Sequence, residues 1–169
     1  MSKPVPGTYP PYFENYISLV KEDDLVTAFK NQQQLVAGYF DAIPEEKTNT
    51  GYAPGKWSLK ELLQHIIDTE RIFNYRALCF ARKETASLPG FDENTYADNS
   101  NALDRSWKSL CDEFKAVRRS TEILYESFSA EVLNNSGLAN NKTMTVLAMG
   151  FTSIGHVIHH KKIIEERYL

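Results

Sequence analysis

A chain of 169 residues with 19 Lys and Arg against 22 Asp and Glu has a formal net charge of −3, spread without a long run of either sign. That balance excludes the basic footprint of a nucleic-acid binder. No apolar stretch approaches the ~20 residues of a membrane span, and MSKPVPGTYPPY is too poor in apolar residues for a signal-peptide core, so a soluble cytoplasmic protein is expected.

The length suits one domain over residues 1–169, large enough to fold without a disulfide or a structural metal. Residues 1–22 read as an N-terminal extension holding a short helix around Tyr12 to Val20. The first long helix runs from Asp23 or Asp24 to Ala42, with Leu25, Phe29, Val36, Tyr39, Phe40 and Ile43 on its apolar side, and Pro44 stops it. The second opens at Ser58, where Ser-Leu-Lys-Glu is a capping box: the Ser58 hydroxyl accepts from the Glu61 amide while the Glu61 carboxylate reaches back. Its stripe of Leu59, Leu62, Leu63, Ile66, Phe73, Ala77 and Phe80 carries it to about Arg82.

ETASLPGFDENTYADNSN follows, rich in Gly, Pro, Asn and Asp, with one helical turn predicted around Asp92 to Ala97. So long a connection serves as a crossover, a lid or a binding loop. The third helix places Leu103, Trp107, Leu110, Phe114, Val117, Thr121, Leu124 and Phe128 at alternating spacings of four and three. EVLNNSGLANNKTM reads as polar connection, and the last helix starts near Thr143 and runs through Leu147, Ile154, Val157, Ile158 and Ile164. No segment shows clear strand alternation, so the class is all-α, a four-helix bundle with a long crossover between its second and third helices. Cys79 and Cys111 stand singly within helical patterns and read as reduced core thiols.

All four histidines fall in two of these helices: His65 in the second, and His156, His159 and His160 in the last. Positions four apart on a helix differ by ~40° around the axis and ~6 Å along it, so His156 and His160 share one face, at the edge of the apolar stripe. His65 flanks its own stripe beside Thr69, and a third imidazole arriving from a neighbouring helix would complete a three-nitrogen metal site. The plain alternative stays open, because a helical histidine is often a core or surface residue and a pair near a C-terminus also answers the helix dipole. His159 points away from the apolar centre, to solvent or behind the ligands.

The block YAPGKWSLKELLQHIIDTERIFNYRALCFAR, the crossover LPGFDENTYADNSN and the closing GHVIHHKKIIEERYL together resemble the DinB family over essentially the full chain. The resemblance implies a four-helix bundle, frequently a homodimer, holding one divalent ion, nickel or zinc, on three histidines. The family's first histidine falls on His65 and its final HxxxH on His156 and His160. Three neutral imidazoles leave an ion its full charge and an open position, the arrangement of a catalytic site. Such an ion lowers the pKa of bound water or holds a thiol as thiolate.

Three functions are therefore carried forward. The wider superfamily includes thiol S-transferases and mycothiol-dependent isomerases, which implies a metal-bound thiolate, from a low-molecular-weight thiol cosubstrate, attacking a small-molecule electrophile in detoxification or a stress response. A hydrolase using metal-bound hydroxide shares the same ligands, although the sequence shows no obvious general base. A non-catalytic, damage-inducible metal-binding protein is the third. Around the metal, Asp68, Glu70, Thr152, Ser153 and His159 are candidates to orient the ligands. The plain reading of Asp68 and Glu70 is as solvated carboxylates or partners of Arg71 and Lys60. Tyr52 and Trp57 stand where they can close over a ligand, Trp57 equally as the apolar residue that staples the helix start. Tyr96, Asn99 and Asn101 are candidate substrate contacts if the crossover covers the metal, and otherwise turn and cap residues.

Overall fold

The computed structural model describes residues 2–169, apart from the side chains of residues 34, 35 and 37. Four long helices form the bundle: α2 (Leu25–Asp41), α3 (Leu59–Ala81), α5 (Trp107–Glu126) and α7 (Val146–Arg167). Short helices α1 (Glu14–Ile17), α4 (Glu93–Asp98) and α6 (Ala130–Leu133) lie in the connections. α3 packs against both α5 and α7, and α2 closes the ring against the same two. Each long helix starts at a side-chain cap: Asp24, Ser58, Ser106 and Thr145 accept from the amides of Thr27, Glu61, Ser109 and Ala148. At Ser58 the box is complete, with the Glu61 carboxylate accepting from the Ser58 amide at 2.7 Å. Such a cap is worth ~1 kcal/mol.

The interior is two apolar clusters separated by a polar waist. One gathers Leu25, Phe29, Phe73, Phe80, Phe151 and Ile154; the other gathers Val36, Phe40, Ile66, Trp107, Leu110 and Val157. Between them every long helix contributes buried polar groups: Gln32 from α2, Thr69 and Glu70 from α3, Arg118 and Thr121 from α5, Ser153 and His156 from α7. Arg118 donates from Nε and Nη2 to the two Glu70 oxygens at 2.9 and 2.8 Å and from Nη1 to Gln32 Oε1. The Thr121 hydroxyl donates to Glu70 at 2.6 Å, and Gln32 Nε2 donates to the Ile154 carbonyl at 2.8 Å. One network thus ties all four helices at the level of the histidines. Glu70 is only 2% exposed, which corrects its reading as a solvated carboxylate or a partner of Arg71 or Lys60. Its partner lies 48 residues away in α5, beyond any local pattern.

Two further expectations change. Leu103 sits before α5 in a one-turn 3-10 helix, Ala102–Asp104, and is exposed, so the seam begins at Trp107. The segment read as polar connection folds as an antiparallel hairpin, β1 (Ser136–Ala139) with β2 (Lys142–Thr145), which delays the last helix to Val146. Asn140 and Asn141 form its two-residue loop with φ of 50° and 58°, the positive values that a hairpin turn of right-handed twist requires and that Asn tolerates. Leu88 of the crossover pairs alongside β1: its amide donates to the Leu138 carbonyl and its carbonyl accepts from Asn140, each at 2.9 Å. Cys79 and Cys111 are both free thiols, and burial pushes Cys111 up to about 12. Among the described residues no helix is long and apolar enough to cross a membrane.

The N-terminal segment also docks on the bundle, with α1 lying against α7. A Cβ at Gly155 would fall 2.1 Å from the Tyr16 carbonyl oxygen, so only glycine admits this approach, one residue before His156.

Candidate metal centre

His65, on the second turn of α3, meets His156 and His160, one turn apart on α7. The Nε2 atoms of His65 and His160 lie 3.1 and 3.0 Å from Nε2 of His156, and the ligating atoms of all three lie within 4.8 Å of one another. His156 and His160 are buried and His65 is half-buried. Burial holds His65 down to about 4 from the ordinary 6.5. It drives His156 and His160 well below that value, with the neighbouring imidazoles adding to the effect. All three rings are therefore neutral at pH 7.

Three neutral imidazoles aimed at one point satisfy each other poorly. The single lone pair on His156 Nε2 cannot properly accept from both neighbours, and His160 Nδ1 is a buried atom without a hydrogen-bond partner among the described residues. A cation among the three nitrogens removes the conflict by taking all three lone pairs. Nitrogens bound at ~2.0–2.1 Å around a tetrahedral ion sit about 3.3 Å apart, close to the spacing found here. The donor set fits a divalent ion of the zinc, nickel, copper or iron type.

The triad floors a cleft of about 280 Å³ walled by Trp57, Phe13, Phe73 and Phe91, with Tyr12, Tyr16, Thr69, Arg76 and Glu93 completing it. The Trp57 ring tilts against His65 at a centroid distance of 5.0 Å, so the residue preceding the cap also lines the site. Thr69 Oγ1 lies 3.5 Å from His65 Nδ1. Tyr16 stands edge-on to both His156 and His159, at 5.5 and 5.3 Å, and its hydroxyl is pushed up by burial first, then by Tyr12 and Glu93.

The other sequence candidates scatter. Tyr52 accepts from Arg167 at 3.2 Å, stacks edge-on with Tyr168 and lines an adjoining hollow of about 250 Å³ that reaches His160 and Trp57. Asp68 accepts from Gln64 Nε2 at 2.9 Å, with Arg71 4.0 Å away; burial raises its pKa. Ser153 donates to the Met149 carbonyl at 3.1 Å, and the Thr152 hydroxyl is buried without a partner among the described residues. Tyr96 packs on Phe91 and is exposed, Asn99 caps α4 through the Thr95 carbonyl at 2.8 Å, and Asn101 is left-handed at φ 52°. None of these last three lines the cleft. Sequence reasoning missed Phe13, Tyr16, Arg76 and Glu93, which reach the site from the N-terminal segment, from farther along α3 and from α4. The length of the extension and of the crossover was the only signal for Phe13, Tyr16 and Glu93, and Arg76 had none.

A helical bundle that converges three neutral imidazoles from two helices on the floor of an aromatic cleft is a scaffold fit to hold one divalent ion. The chain belongs to the DinB superfamily, which residues 28–164 match, a span that includes all three histidines. Among curated proteins none matches its sequence. Its structure is similar to that of YfiT from Bacillus subtilis, described as a probable metal-dependent hydrolase with an unusual four-helix bundle topology, at a TM-score of 0.71 and 14% identity over 97% of this chain and 90% of that one. It is also similar to a mycothiol-dependent maleylpyruvate isomerase, at a TM-score of 0.59 and 12% identity over 87% of this chain, which spans 58% of the isomerase's length.

Proposed function

We propose that this chain is a divalent-metal-dependent enzyme that transfers a low-molecular-weight thiol to a small electrophile, with His65, His156 and His160 as the ligands of nickel or zinc. The supporting observation is the convergence of three imidazole lone pairs at the floor of an open, aromatic-walled cleft. Held by these three neutral imidazoles, a divalent ion would keep its full charge and would supply the Lewis acidity that favours the thiolate form of a coordinating thiol at neutral pH. The residues of the chain do the rest. Trp57, Phe13, Phe73 and Phe91 hold the apolar body of the electrophile and exclude water. Tyr16 fixes the His156 ring from its edge, and Glu93, exposed on the cleft wall, takes up the proton released by the thiol. The thiol class draws on the mycothiol dependence of the similar isomerase.

Hydrolysis is the second reading, and two observations favour it: Glu93 lines the cleft as a carboxylate that could serve as the base the sequence did not reveal, and YfiT is described as a probable metal-dependent hydrolase. Metal-loaded protein incubated with bacillithiol, mycothiol, glutathione, cysteine or coenzyme A and a generic electrophile separates the two. Thiol-dependent turnover that disappears on chelation supports transfer. Metal-dependent cleavage of esters or amides without any thiol supports hydrolysis, and the absence of both assigns the ion a non-catalytic role. A homodimer belongs to the same proposal, and light scattering that shows only monomer across a wide concentration range rejects it.

A further inference from the structure

The cleft over the histidines does not end at its aromatic wall. Tyr12, Phe13, Arg76 and Phe91 line it and also a second cavity of about 200 Å³, which extends to Gly90, Asn140 and Lys142 at the hairpin tip. The two cavities adjoin across these four shared residues, Arg76 among them. Arg76 is 7% exposed and makes few contacts among the described residues: Nη2 donates to the Pro89 carbonyl at 2.8 Å, and the guanidinium lies over the Phe91 ring, 5.9 Å from its centre. Among the described residues it forms no ion pair. Arg118, buried to the same degree, shows what a chain normally supplies, for it holds both Glu70 oxygens and the Gln32 carbonyl. With one carbonyl acceptor and the face of one ring, most of the five N–H donors of Arg76 have no acceptor among the described residues. Burial lowers the pKa of Arg76. Lys142, exposed on β2, lines the second cavity and adds a cation that forms no ion pair among the described residues.

We propose that Arg76, assisted by Lys142, is an anion subsite that holds a carboxylate of an elongated substrate or cosubstrate whose reacting end lies over the histidines. This deepens the reading of the cleft as a substrate site and rests on it. The planar fork of arginine suits a carboxylate, and the aromatic residues between Arg76 and the triad suit an apolar or unsaturated spacer. The preferred substrates are therefore acids with the reactive group several bonds from the carboxylate, and the neutral analogues are poor ones.

The test compares phenylbutyrate with its uncharged twin phenylbutyramide, titrated by calorimetry into full-length protein, both metal-loaded and stripped by chelator. The carboxylate is expected to bind about tenfold tighter, as one charge-assisted hydrogen-bonded pair provides. The preference should persist in stripped protein, disappear in Arg76→Met, remain in part in Arg76→Lys and fall about threefold in Lys142→Gln, which lies on the surface and leaves the core untouched. Equal or absent binding of the carboxylate by wild type overturns the subsite. So does a preference that survives Arg76→Met, or one that disappears when the metal is stripped, since the carboxylate then sits on the ion. Because the stripped arm needs no turnover, failure of the subsite and failure of the transferase reading are separately visible.

Discussion

Replacing Arg118 by Met should be among the most damaging single changes in this protein. Its side chain is 5% exposed and grips the 2%-exposed Glu70 carboxylate through two hydrogen bonds of 2.8 and 2.9 Å, while a third reaches Gln32. Without it, Glu70 keeps, among the described residues, only the Thr121 hydroxyl, a buried charge with one donor. Removing one partner of such a pair costs ~3–5 kcal/mol, chiefly for the charge left behind. At ~2–4 °C per kcal/mol for a chain of this size, the melting temperature should fall by roughly 6–20 °C. The double variant Glu70→Met/Arg118→Met fills the same space without a charge and should recover a large part of the loss. Thermal and urea unfolding followed by circular dichroism, at fixed metal content, measures all three proteins. A loss below ~1 kcal/mol in Arg118→Met, typical of a solvated surface pair, would refute the argument. A double variant no better than the single one would refute it too.

His65→Ala, His156→Ala and His160→Ala should each lower bound metal sharply whereas His159→Ala should not, and metal analysis of the four dialysed proteins decides this; full retention in His156→Ala sinks the ligand set. In stripped protein the three depressed histidines bind protons more weakly folded than unfolded, so stability present above the ordinary 6.5 is lost progressively as the pH falls toward the value of about 4 at His65. Urea midpoints at about pH 7 and about pH 5 should therefore differ, lower at the acid value, and equal midpoints would show that the rings are not buried neutral. Gly155→Ala should displace the N-terminal segment from α7 while leaving the bundle folded, seen as faster proteolysis before residue 20; unchanged cleavage would mean that the close approach to Tyr16 is not what seats the segment.

The four long helices were legible because each carries an apolar stripe, and the first two starts also because Asp24 and Ser58 read as caps; the caps at Ser106 and Thr145 emerge only in the structure. The histidine triad was legible in part for the same local reason, since a spacing of four fixes His156 and His160 on one face. What escaped depends on contacts between distant segments. The hairpin strands are four residues long, with exposed and half-buried positions alternating in β1, so they offer little apolar contrast to read. Glu70 looks like any helix carboxylate until Arg118 stands against it, and Arg76 looks like any solvated arginine until Pro89 and Phe91 fold over it. Glu93 was hidden for another reason: its helix has six residues, within a crossover whose path no periodicity dictates.

The segment that carries Tyr12, Phe13 and Tyr16 to the cleft lies wholly before the residues that match the family. The three imidazoles lie within that matched span, whereas the wall residues of the leading segment lie outside it. The donor nitrogens and this part of the cleft wall therefore sit on separate stretches of the chain, and the side chains of Tyr12, Phe13 and Tyr16 can be exchanged without replacing a donor nitrogen.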